Sequence, residues 1–108
     1  MLEEFNKTFN LPEDTPFKKA ELENALIETF GSIQYFKCGG FMTNGQSYPT
    51  TYSVGTKFEW EYNVISYDGD AKSCEEALMG LFINYGSGYD YQQEFKEIVK
   101  NVYGQYLR

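Results

Sequence analysis

The residues whose type and spacing could do chemistry are two carboxylate pairs and a cysteine. Glu59 and Glu61 alternate along FEWEY, so on a strand both carboxylates stand on one face. Glycosidases use paired carboxylates as acid and as base or nucleophile. No polar companion elsewhere in the chain completes such a site, and the same spacing describes the charged outer face of a sheet. Asp68-Gly69-Asp70 resembles half of a calcium loop but lacks the distal Glu and the remaining ligands. Cys38 precedes Gly39-Gly40 with no base to generate a thiolate. The glycine pair is no phosphate loop, because no Lys-Ser/Thr follows it. The chain has no His, which removes the commonest general base and metal ligand. The expectation is a protein that is not an enzyme and uses no metal or cofactor.

The chain has 108 residues, enough for a single domain, 1–108, with one modest core. Ten Tyr, nine Phe and one Trp compensate for small size, since each ring buries a large area. Tyr also keeps a polar tip, which suits a binding surface, although most such rings in small domains fill the core. Sixteen acids against nine bases give a net charge of −7. Direct nucleic-acid binding is disfavoured, because neutralising phosphates takes clustered Lys and Arg and the only basic pair is Lys18-Lys19. A basic partner fits better. No apolar run approaches transmembrane length and the acidic opening MLEEFNKTF is unlike a signal peptide. The expected location is the cytoplasm, with no membrane contact and with Cys38 and Cys74 reduced, although pairing of the two remains open.

The elements that must position these side chains begin with a short helix over 2–9, with Leu2, Phe5 and Phe9 on one side. A loop marked by Pro12 and Pro16 follows. Thr15 then stands as an N-cap, with Pro16 in the first helical turn. Leu22, Ala25, Leu26 and Phe30 recur at helical spacing, and Gly31 supplies a C-cap. The opposite face carries Glu21, Asn24 and Glu28, with Glu23 at its border. A strand is predicted over 33–38, with Gly39-Gly40 breaking or bulging it. TNGQSYPT reads as a loop with a turn at Asn44-Gly45, TTYSV at 50–54 as a strand, and Gly55 as a turn. KFEWEYNVISY reads as one strand, with Phe58, Trp60, Tyr62 and Val64 on its apolar face. Ser73 and Glu76 have capping-box spacing, and Cys74, Ala77, Leu78, Leu81 and Tyr85 follow a helical stripe. Gly80 and LFIN leave a buried strand over 77–84 as the alternative to helix. Asp90 is placed to cap a last helix, whose stripe is Phe95, Ile98, Val99, Val102, Tyr103 and Tyr106. The expected class is α+β: a small, mainly antiparallel sheet with helices packed on one face, two of them N-terminal and one C-terminal.

A row of carboxylates on a rigid helix can imitate the charge pattern of a nucleic-acid backbone. Glu21 and Glu28 lie two turns apart, about 10 Å along the axis. That spans about three phosphates of one DNA strand. The basic groove of a DNA-binding enzyme would accept such a row, and an apolar pocket beside it could hold a side chain that the enzyme wedges into the base stack.

Phe9-Asn10-Leu11-Pro12-Glu13-Asp14, an acidic helix around Ala20-Glu21-Leu22-Glu23, then Gln34-Tyr35 continuing to Gly39, and Asn44, resemble the staphylococcal uracil-DNA glycosylase inhibitor family. The likeness spans about residues 9–44, and the end Gln105-Tyr106-Leu107 is similar more weakly. The resemblance implies a small acidic α+β protein of phage or mobile-element origin. It further implies a monomer that binds uracil-DNA glycosylase one-to-one as a DNA mimic, with an apolar pocket enclosing the enzyme's intercalating loop. Glu21 and Glu23 would be the phosphate mimics, with Asn24 and Glu28 close by. The sequence departs from the family pattern at Glu21-Leu22-Glu23, where the family's acid is followed by Ser and a branched apolar residue. The region is also about two residues longer here. Phe41, Met42, Tyr48 and Trp60 are the candidate pocket residues, on apolar character near the Gly39-Gly40 break alone. The alternatives are another acidic decoy, of anti-CRISPR or antirestriction type, or a non-enzymatic interaction domain.

Overall fold

The computed structural model describes residues 1–57, 63–88 and 90–106. Helix α1 (Leu2–Thr8) is followed by α2 (Lys19–Phe30), then strands β1 (Gln34–Cys38), β2 (Phe41–Thr43), β3 (Gln46–Tyr48), β4 (Thr51–Lys57) and β5 (Asn63–Asp68). Helices α3 (Cys74–Gly86) and α4 (Gln92–Val102) and a short 3-10 turn, Gly104–Tyr106, complete the chain. The architecture is α+β.

The main sheet is antiparallel in the order β1-β4-β5. Tyr35, Val54 and Tyr67 lie in one register row, and Phe36, Ser53 and Asp68 in the next. Successive rows point to opposite faces. Val54 and Ile65 are buried beneath the helices, while Phe36 and Asp68 are exposed. The helices therefore cover one face of the sheet.

Helix α3 is the centre of the fold. Ala77, Leu78, Met79, Gly80, Leu81 and Phe82 are all buried, because α1, α4 and the sheet pack around this one helix. Encirclement explains why its pattern reads ambiguously, since an all-round apolar run fits a buried strand equally well. Of the expected stripe, Cys74 and Tyr85 are only half-buried. Gly80 has a packing reason: the Tyr67 ring occupies the space a Cβ would need. Ser73 caps α3, its Oγ accepting from Glu76 N–H at 3.1 Å. The Glu76 carboxylate reaches back to the Lys72 N–H at 3.3 Å, one residue beyond the usual capping-box partner. An aromatic cluster joins α1 to the rest. The Phe5 ring meets Phe9 at 5.1 Å, Phe17 at 5.2 Å, Tyr103 at 5.9 Å and Phe82 at 6.0 Å.

Several sequence expectations are corrected. Helix α2 begins at Lys19, and neither Thr15 nor any other side chain caps it. Asn6 draws residues 13–15 onto α1 instead, its Nδ2 donating to the Glu13 and Thr15 carbonyls at 3.3 and 3.2 Å. The free N–H at the helix start is satisfied from a distance, as Lys18 N–H donates to the Tyr103 hydroxyl at 2.7 Å. Gly31 does close α2, in the left-handed region at φ 96°. Residues 43–50 are not a plain loop: β2 and β3 form a hairpin whose turn places Asn44 and Gly45 at φ 54° and 78°. Gly55 lies inside β4, paired with Gln34 and Ser66, and makes no turn. Residues 57–67 are not one strand, because Lys57 ends β4 and pairs with Asn63 of the antiparallel β5. The expected alternation of Phe58, Glu59, Trp60, Glu61 and Tyr62 lies outside the described residues. Tyr91, not Asp90, is the N-cap of α4.

Candidate functional site

The spacing that buries Leu22 and Leu26 under α2 turns Glu21, Asn24 and Glu28 outward, and all three are exposed. Glu21 also stands in the first turn of the helix, where the dipole favours an acid. These three form an open ridge.

Glu23 does not join them. Its Oε2 accepts from the Tyr35 hydroxyl at 2.5 Å and from Lys19 Nζ at 3.1 Å. Lys19 Nζ lies 5.3 Å from the centre of the Tyr35 ring. The Glu23 charge is thus shared with a cation and a phenol at the junction of α2 and β1. Burial drives the Tyr35 phenol far above its ordinary pKa, and the hydrogen bond and charge of Glu23 push it further. At the N-cap of the same helix, burial raises the Tyr103 phenol, against the lowering effect of its Lys18 N–H bond. The Glu21 charge adds to that rise, which puts Glu21 within electrostatic reach of Tyr103.

The residues expected to wall an apolar pocket stand instead on an exposed arm. Phe41 and Tyr48 are cross-strand neighbours, stacked with ring centres 5.0 Å apart. Met42 is 74% exposed on the opposite face of the hairpin. Trp60 lies outside the described residues, as do Glu59 and Glu61. Asp68 and Asp70 are exposed, and among the described residues no group of His, Cys, Asp and Glu is arranged to hold a metal ion. Cys38 is exposed, Cys74 is half-buried, and both are free thiols.

Sequence reasoning missed a second acidic surface. A groove of about 740 Å³ between α1 and the following loop is lined by Glu3, Glu4 and Glu13 together with Asn6 and Lys7. The signal was present in the acids flanking Phe5 and Pro12. It also missed the bond from Tyr35 to Glu23, for which no local pattern exists. Among the described residues no helix is long and apolar enough to cross a membrane. No protein-family model matches the chain, nor does any curated protein or solved structure.

Proposed function

We propose that this chain is a protein inhibitor of uracil-DNA glycosylase that blocks the enzyme's DNA-binding cleft by mimicking DNA. The observation that carries the proposal is the exposed row of Glu21, Asn24 and Glu28 on a helix anchored to the core. Glu21 and Glu28 are separated by about 10 Å along the axis, a match to about three phosphate steps of one DNA strand. The net charge of −7 steers such a surface toward a basic cleft. Glu21 and Glu28 act as the phosphate mimics, and Asn24 offers a neutral hydrogen-bonding contact between them. Glu23 holds the helix in its rotation and makes no phosphate-like contact. The inhibitor is not an enzyme, needs no cofactor and binds the glycosylase one-to-one.

The test is uracil release from single-stranded uracil-containing DNA by a bacterial uracil-DNA glycosylase, with and without equimolar protein. Loss of activity near one-to-one stoichiometry supports the proposal, and full activity with a folded protein rejects it.

The exposed rings of the β2–β3 hairpin favour a second reading, an interaction domain that docks through aromatics. Salt separates the two. Association driven by the acidic ridge slows as ionic strength rises, whereas an aromatic interface changes little. An acidic decoy for a different nucleic-acid enzyme would instead recover that enzyme, and no glycosylase, in a pull-down.

A further inference from the structure

The groove between α1 and the loop after it is built from other residues than the acidic row of α2. Glu3, Glu4, Lys7 and Glu13 stand exposed around it, Leu11 is its apolar wall and Asn6 its most buried polar member. Three carboxylates against one ammonium leave the groove two net negative charges. Among the described residues none of these four charged side chains has an ion-pair partner.

Asn6 supplies the observation that points to a ligand. It is only 2% exposed. Its Nδ2 hydrogens are committed to the Glu13 and Thr15 carbonyls, at 3.3 and 3.2 Å. Its Oδ1 is buried and has no hydrogen-bond partner among the described residues. With the nitrogen turned to the loop, the atom that Asn6 has left to offer the groove is this oxygen. Buried acceptors are almost always paired, so an orphan in a groove wall calls for a donor. A ligand that completes the site is therefore positive and carries N–H donors. Among the described residues no group of His, Cys, Asp and Glu is arranged to hold a metal ion, which leaves an organic cation.

A guanidinium fits better than an ammonium. Its planar fork spreads several N–H donors, so it meets a carboxylate and a carbonyl at once. It is also more weakly hydrated, which favours contact with a buried oxygen. We propose that the groove binds an alkylguanidinium group, which donates to Asn6 Oδ1, is neutralised by Glu3, Glu4 and Glu13, and lays its alkyl stem on Leu11. Lys7 at the border disfavours a second positive charge on the ligand. A volume of about 740 Å³ admits a small free guanidine or an arginine side chain of another protein. The proposal does not rest on what the α2 row binds.

Amide NMR titration of the full chain in low-salt buffer at neutral pH tests it with propylguanidinium. The expected result is saturation with a Kd of about 1 mM or tighter, with shifts confined to residues 3–13. The Asn6 side-chain NH2 signals move with the same Kd, because a bond accepted at Oδ1 polarises the amide. Butylammonium binds at least about threefold more weakly. Glu3→Gln, Glu4→Gln and Glu13→Gln combined weaken binding at least about tenfold. Should the combined variant lose its folded spectrum, Glu13→Gln alone is read, with a loss of about threefold. A capped glycine–arginine–glycine peptide that saturates the same signals assigns the group to a protein's arginine, and saturation by propylguanidinium alone assigns it to a free ligand. Shifts that never saturate overturn the proposal. So do still Asn6 side-chain signals, equal binding of butylammonium, or binding indifferent to the Gln substitutions. Since no glycosylase is present, failure here and failure to inhibit are separate results.

Discussion

The Tyr35 hydroxyl donates to the Glu23 carboxylate across 2.5 Å, tying the first strand to the acidic helix. This bond divides the acids of α2 into two jobs. Glu23 is turned toward the sheet and bonded to Tyr35 and Lys19, while Glu21 and Glu28 are exposed. The division makes charge removal at the three positions give different outcomes.

Under the proposed function, reversing Glu21 and Glu28 to Lys is expected to weaken inhibition of uracil-DNA glycosylase by at least about 100-fold, with the melting temperature little changed because both positions are exposed. Glu23→Gln is expected to leave inhibition near its starting level and to lower stability. Titrated uracil-release assays beside thermal melts read both quantities. Inhibition that depends on Glu23 and ignores Glu21 and Glu28 would reverse the assignment.

Tyr35→Phe removes one hydrogen bond to a charged acceptor at a half-buried position, at a cost of about 1–2 kcal/mol. For a domain of this size that is a fall in melting temperature of about 5–10 °C. Equilibrium urea unfolding of both proteins measures it, and an unchanged midpoint would remove the bond from the stabilising interactions.

The same two tyrosines set an alkaline limit. Tyr35 and Tyr103 both hold their protons more tightly in the folded chain than at the ordinary phenol value of 10.0. As pH rises through about 10 the unfolded chain loses these protons first, so unfolding gains a driving force. Stability from this source is fully present below about pH 10 and declines above it. Urea midpoints between about pH 8 and about pH 11 are expected to fall, and the fall is expected to be shallower in Tyr35→Phe. A flat profile in the unmodified protein would contradict the burial of both phenols.

Gly80→Ala separates helix propensity from packing. In an exposed helix interior the change stabilises by about 1 kcal/mol. Here the Tyr67 ring fills the place of the added methyl, so the expected effect is a loss of about 1–3 kcal/mol. Adding Tyr67→Leu is expected to recover part of that loss, which a double-mutant cycle in urea would register.

Phe5→Ala is expected to cost about 3–5 kcal/mol, as for other buried rings. Phe5 is fully buried and its ring meets those of Phe9, Phe17, Phe82 and Tyr103, so the loss reaches α1, α3 and the chain after α4 together. Partial unfolding confined to residues 2–9 would show instead that α1 is an independent flap.

Part of what depends on local periodicity and capping was legible in the sequence. The Leu22–Leu26 stripe buries one face of α2 and so exposes Glu21, Asn24 and Glu28, Gly31 closes that helix, Ser73 caps α3, and the Asn44-Gly45 pair makes a turn, although the strands it joins had read as loop. Each follows from bonds and contacts within a few residues. Tertiary structure alone decided where contacts cross long stretches of chain. The Asn6 amide and the Tyr103 hydroxyl, 85 residues from Lys18, delayed the start of α2 from Thr15 to Lys19. The antiparallel pairing of β4 with β5, the encirclement of α3, and the capture of Glu23 by Tyr35 also depend on packing partners that no local spacing announces. A side chain's periodicity says which face it occupies, but whether that face meets solvent, a ring or a hydroxyl is settled only when distant segments are brought together.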